Sequence, residues 1–297
     1  MKNSIKHSLI ATAALLLLAG CDPKDPIYNT PHPEHGAVTL TTDWSNIGEG
    51  LTAPASYTAT ATGYAATLSG NVNLLDHLFD PGEYTFYTYN AAEHITVSGS
   101  TATVATASGN VDGVGSFIQD APGWLFTSVT PAAIEADKDH ALTAVMQQQV
   151  RSLTLIIEPT GETAGSVESI TGTLSGVASS LDFAGGTHGA PANVALTFTR
   201  IADGANAGRW SATVRLLGTA GAEQRLAASI AFTGGNPAPI QLDSDLTTAL
   251  AAFNADKRTS LTLGGSVVET PTGVGFEATI TDWTPGNGDG EDIDANV

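Results

Sequence analysis

The sequence predicts an all-β fold arranged as two tandem β-sandwiches, with one short helix in the second. Three observations carry this. First, "VTLTTDW", "SYTATATGYAATLSG", "EYTFYTYN", "HITVSGSTATVAT", "LTLIIEP", "VALTFTR", "WSATVRLLG", "LAASIAFTG" and "FEATITDW" are short runs rich in Thr, Val, Ile, Tyr and Phe. Many alternate apolar residues with Thr or Ser, the period of a half-buried strand. Second, Gly, Asn, Asp or Pro separates most of these runs, and many short strands at this spacing build sandwiches or barrels rather than a parallel α/β sheet. Third, the elements before the polar "MQQQVR" at 146–151 are matched in order by those after it. "AVTLTT" at 37–42 corresponds to "SLTLII" at 152–157, and "ATLSGNVNLLDHLF" at 66–79 to "GTLSGVASSLDF" at 172–183, which points to duplication. The two sandwiches are placed at 37–148 and 149–285.

Helical signals are few. In "DSDLTTALAAFNADKR", Leu246, Leu250 and Phe253 fall at i, i+4 and i+7. Asp243 or Ser244 suits the start, and Lys257 and Arg258 suit the end, where the dipole favours cations. A helix is therefore predicted over 244–256. "NLLDHLF" at 73–79 reads as a single helical turn before Pro81-Gly82.

The N-terminus carries an address. Lys2, Lys6 and His7 precede an apolar run from Leu9 to Leu18, too short to span a bilayer, which needs about 20 apolar residues. A basic start, a short apolar core and small residues describe a secretory signal peptide over 1–20. Leu18-Ala19-Gly20-Cys21 matches the bacterial lipobox, with cleavage between Gly20 and Cys21 and lipid attachment on the Cys21 thiol. Several acyl chains on one cysteine anchor a protein stably where one chain would not. Cys21 is the only cysteine, so no disulfide forms within the chain and its stability rests on a packed core. Residues 21–36 hold Pro23, Pro26, Pro31 and Pro33 with no apolar period, and read as an extended tether.

Thirty acidic residues face eleven basic ones, a formal charge of −19, and loss of the signal removes Lys2 and Lys6 as well. This balance excludes nucleic acid, whose phosphates need Lys and Arg, and equally a basic membrane-surface patch.

Catalytic and metal constellations are weak, and none is assigned. His32 and His35 flank Glu34, but Pro33 forbids the helical turn that a zinc-protease motif needs. His77, His94, His140 and His188 are scattered, and no nucleophile elbow, Walker loop or dinucleotide fingerprint occurs. "NGDGEDID" at 287–294 resembles the first half of a calcium loop but lacks the distal bidentate Glu, so 286–297 reads as an acidic tail. Trp44, Trp124, Trp210 and Trp283 lie in or beside strands, where Trp is commonly core rather than a sugar-stacking face. No cofactor is implied, and the chain reads as a non-enzyme.

Several stretches together resemble the fimbrillin superfamily of Bacteroidales pili, in particular its fimbrial anchor lipoproteins of the FimB type. They are the lipobox at Cys21, "GAVTLTTDW" with Asp43-Trp44, "PGEYTFYTYN" with Tyr84, Tyr87, Tyr89 and Asn90, and "FEATITDWTPGNGDGEDI" around Trp283. The likeness covers most of 36–290. It implies two tandem transthyretin-like β-sandwich domains. It also implies a lipid-anchored, surface-exposed outer-membrane protein whose partners are other fimbrial subunits, joined by strand exchange. In polymerising fimbrillins a protease cuts after Arg or Lys in the first domain and frees the first strand. Here no Lys or Arg occurs between Lys24 and Lys138, which favours an uncut anchor or accessory subunit. On this expectation residues 37–43 stay in place and fill the edge of their own sandwich. The alternative from another class is a surface glycan-binding lipoprotein that uses exposed aromatics.

Overall fold

The computed structural model describes residues 34–111, 113–272 and 275–286. The signal peptide, the Gly20–Cys21 cleavage site, the lipid site Cys21, most of the tether and residues 287–297 of the acidic tail lie outside these described residues.

The chain is all-β. Its first half contains β1 (Gly36–Asp43), β2 (Ser56–Ala61), β3 (Tyr64–Ser69), β4 (Val72–Leu74) and β5 (Gly82–Tyr89). An excursion follows with β6 (Ile95–Ser98), β7 (Thr101–Val104), β8 (Thr106–Ala107) and β9 (Phe117–Ile118). The half closes with β10 (Phe126–Ile134), β11 (Lys138–Val145) and β12 (Gln147–Gln148). One sheet runs β11-β1-β4 and the facing one β12-β10-β5-β2-β3. Alternation does the work here: Val38, Leu40 and Thr42 of β1 turn inward while Thr39 and Thr41 turn out. The inward set meets Phe79, Phe86, Phe126, Ile134 and Met146 in a continuous apolar cluster. Phe79 is its hub, with rings of Tyr64, Tyr84 and Phe86 edge-on at 5.3–5.6 Å.

The second half contains β13 (Arg151–Glu158), β14 (Val167–Asp182), β15 (Thr187–Arg200), β16 (Trp210–Leu216), β17 (Arg225–Phe232), β18 (Ile240–Asp245), β19 (Leu261–Ser266), β20 (Val268–Thr272), β21 (Gly275–Thr279) and β22 (Thr284–Pro285). Strand β17 shows the pattern at its purest, with Leu226, Ala228, Ile230 and Phe232 all buried and their neighbours half-exposed. Strand order is β16-β13-β19-β22 on one side and β20-β21-β18-β17-β14-β15 on the other, the two joined by a short β15–β16 pairing of Thr199 with Ser211 and Arg200 with Trp210. Sheet order therefore repeats strand for strand: β1 to β5 correspond to β13 to β17, β10 to β18 and β11 to β19. In both halves the opening strand is central, parallel to a late strand and antiparallel to the fourth. This 4-1-7 and 3-2-5-6 order is the transthyretin-like one that the resemblance implies.

Three expectations are corrected. The matching of 66–79 with 172–183 pairs strands that are not equivalent, since β3 and β4 cover the first stretch and β14, the counterpart of β2, covers the second. Threonine-rich strands of one composition look alike in sequence whatever their place. The predicted helix at 244–256 is instead the end of β18 followed by a chain of turns. Only Leu250 N–H reaches back four residues, to Leu246 O at 2.9 Å; Ala251, Phe253 and Ala255 reach back three. Leu246, Leu250 and Phe253 are nevertheless fully buried, so the apolar spacing was real and the helix was not. Likewise 73–79 is not a helical turn: it continues from β4 into a bridge between Phe79 and Gly36.

The excursion between β5 and β10 pairs outside its own half. Its β7 pairs with the far end of β14 (Ala102 with Leu181) and its β9 with β15 (Asn193 with Phe117). Ala102, Val104 and Ile118 pack into the second apolar cluster, although they precede residue 148 in the chain.

Candidate functional site

The chemistry-bearing residues are not gathered. Among the described residues no group of three His, Cys, Asp or Glu is placed to hold a metal ion. His35 faces Asp80 at 3.4 Å, His94 faces Asp120 at 3.7 Å, and His140 Nε2 accepts the Glu135 N–H at 3.0 Å. The His77 ring meets Phe79 edge-on, with centroids 4.6 Å apart. His32 lies outside the described residues.

The tryptophans do not form a sugar platform. Trp210 is core. Trp44 packs edge-on against Tyr57 and Phe126 and donates to Thr42 Oγ1 at 3.0 Å. Trp283 donates to Ser244 Oγ at 2.8 Å, and Trp124 lies under the Arg215 guanidinium at 5.7 Å. A shallow cleft over Ile156 and Gly265 is lined by Glu158, Arg209 and Ser266. Glu158 there accepts from both Arg209 and Ser266 at 3.2 Å, so its polar groups already satisfy one another.

One half-buried polar pair stands out. Lys257 Nζ lies 2.9 Å from His188 Nε2 and donates to Leu217 O at 3.2 Å and Gln149 Oε1 at 3.4 Å. These partners carry no negative charge, so burial pushes the ammonium down to about 8. Burial, and then the Lys257 charge, pushes His188 down to about 4. The pair sits at the junction of the halves. Beside it Gln148, almost fully buried, accepts the Gly48 N–H at 2.8 Å and donates to Lys257 O at 2.5 Å. Arg151 donates to Phe253 O at 2.8 Å and Thr259 O at 2.6 Å. A single glutamine side chain thus clasps a loop of the first half to the turns of the second. Nothing in the residue pattern of "MQQQVR" separates Gln148 from its neighbours; only the fold does.

The feature with functional content is the place of β1. It does not fill an edge, as the sequence suggested; it fills the middle of its sheet. All eight residues pair in parallel with β11, from Gly36–Lys138 to Asp43–Val145. On the other side Thr39, Leu40 and Thr41 pair with β4. Further bonds run from Gly36 N–H to Phe79 O at 2.8 Å, from Leu75 N–H to Val38 O at 2.9 Å and from Thr42 N–H to Asn71 O at 2.8 Å. Entry is tight: a Cβ on Gly36 would lie 2.5 Å from Ile134 Cγ2 and 2.8 Å from Glu135 O. Without β1, the strands β11 and β4 would face each other across an empty slot lined by the first apolar cluster.

No family model matches the chain, and no curated protein matches it. Solved structures do. A candidate adhesin from Bacteroides ovatus aligns with a TM-score of 0.59 at 11% identity, covering 86% of this chain and 96% of that one. A second from the same species gives 0.55 at 15%, over 87% and 96%. The fimbrial anchor protein Mfa2 from Porphyromonas gingivalis gives 0.53 at 14%, over 84% and 97%. The chain shares their fold. The likeness spans both halves and nearly the whole of each neighbour, so it concerns the tandem arrangement and not one sandwich alone.

Proposed function

We propose that this chain is a non-enzymatic fimbrial anchor or accessory subunit that acts in cell adhesion. It is held at the outer membrane by lipid on Cys21 and exposed at the cell surface. The observation that carries the reading is the lack of Lys or Arg behind β1, because a strand bonded as β1 is leaves its sheet only when the chain is cut after it. A subunit that polymerises through a freed first strand must part with it, and here that strand is bonded on both sides. Between Lys24 and Lys138 no Lys or Arg offers a protease of that specificity a cut site. The fold shared with a fimbrial anchor supports the same role. Partner subunits then engage some other surface, with backbone hydrogen bonds supplying affinity.

The test is Cys21→Ser in the bacterium that carries the chain. The variant is expected to lose lipid labelling, leave the membrane fraction and shed fimbriae into the medium. Unchanged labelling refutes the lipid site. Normal fimbrial attachment with a released variant refutes the anchor role.

A further inference from the structure

We infer that the outer edge of β11, over Ala141–Val145, is a docking site for an extended segment of a partner subunit, which adds as an antiparallel strand. This rests on the fimbrial reading above for the identity of the partner.

The duplication supplies the first argument. Strand β11 corresponds to β19, each parallel to the opening strand of its sandwich. On its other side β19 carries a further antiparallel strand: Leu263 pairs with Pro285, Gly264 with Thr284, and Gly286 N–H reaches Thr262 O at 3.0 Å. Among the described residues β11 pairs on one side only. The same fold thus fills this position in one half and leaves it open in the other.

The edge is also unguarded. Natural sheets blunt bare edges with Lys, Pro, bulges or inward charges. The charged residues of β11, Lys138 and Asp139, lie at its start; Ala141, Leu142, Thr143, Ala144 and Val145 carry none. The outward face beside the edge continues this character. Register lays Leu74, Thr39 and Ala141 in one row and Val72, Thr41 and Thr143 in the next. Val72 and Leu74 are 65% and 71% exposed. An uncharged sheet face of aliphatic and threonine side chains on a chain of charge −19 is conspicuous.

The occupant follows from these properties. An added strand would turn alternate side chains inward over Leu142 and outward beside Ala141, Thr143 and Val145, so it should be uncharged, with aliphatic residues at every second position. The chain's own ends do not suit: 287–297 carries Asp289, Glu291, Asp292 and Asp294, and 22–33 carries four prolines, poor ladder donors. A second copy of so acidic a chain meets self-repulsion.

The experiment places a photoreactive benzoylphenylalanine at Ala141 or Thr143 of the full chain in the bacterium. Thr67 on the edge strand β3 serves as control. Cross-linked peptides are sequenced, and the segment found is synthesised and added to the purified protein while amide exchange is followed. The expected result is a cross-link to an uncharged, alternating segment of another subunit, with exchange slowed within 141–145. Thr143→Lys, at an exposed position, should abolish both without changing the melting temperature. Cross-links to 22–33, to 287–297 or to a second copy overturn the inference, as does a yield no higher than at Thr67. Co-purification with fimbriae is scored on the same cells. If it persists without the cross-link, the edge site falls and the fimbrial reading stands; if it is absent while the cross-link forms, the reverse holds.

Discussion

At the scale of single residues, three positions carry tests. Gly36 sits where a side chain has no room, with Ile134 and the Glu135 carbonyl inside van der Waals distance of any Cβ. Gly36→Ala is expected to cost about 1–3 kcal/mol by overpacking, read by chemical denaturation. Gln148→Ala leaves the buried Gly48 N–H and Lys257 carbonyl without their partner, an expected loss of about 1–3 kcal/mol. His188 gives a pH dependence with a definite sign. Above pH 6.5 the imidazole is neutral in both folded and unfolded chains and burial costs nothing. Between 6.5 and about 4 the unfolded chain takes up the proton first, so stability falls as the pH falls through that window. His188→Gln should flatten the melting temperature over this range. Lys257 acts at the other end. Below about 8 its ammonium is charged in both states and the burial penalty is full, and that penalty lifts as the pH rises from about 8 to 10.5. A melting curve that declines equally from pH 6.5 to 4 in the wild type and in His188→Gln would dismiss this account of the pair. None of these three roles was legible in sequence, because each depends on partners about 70 to 110 residues away.

At the scale of elements, composition and period were enough to place strands. Val38 and Leu40 turn inward in β1 as their alternation with Thr39 and Thr41 requires. What failed was the local reading of 244–256, where Leu246, Leu250 and Phe253 at helical spacing are equally the buried points of successive turns. Period reports which side chains go inside, not which hydrogen bonds form. The place of β1 was also half-legible. Its alternation marked a strand with one buried face, but parallel pairing with β11, about a hundred residues later, leaves no local trace. Deletion of 36–43 is expected to abolish cooperative unfolding and expose the first apolar cluster to a hydrophobic dye. A synthetic peptide of residues 36–43 added in trans should restore part of the transition. A cooperative, dye-negative deletion variant would show that β1 is dispensable.

At the scale of the whole molecule, the two halves repeat one strand order and are tied together by more than the 146–151 connection. The excursion of the first half lends β7 and β9 to the second sheet, while Gln148 joins the loop at Gly48 to the turns at Lys257 across the junction. Duplication was visible in the matched openings at 37–42 and 152–157, which are indeed β1 and β13. The excursion was not visible, because "HITVSGSTATVAT" reads as ordinary strand wherever it pairs. The account as a whole depends on β1 staying in its sheet in the working protein. N-terminal analysis of the protein from native cells tests this most directly. The expected result is a single full-length species beginning with a blocked, acylated Cys21. A major species beginning within residues 44–60 would mean that β1 is cut away and the slot between β11 and β4 opened, and would contradict it.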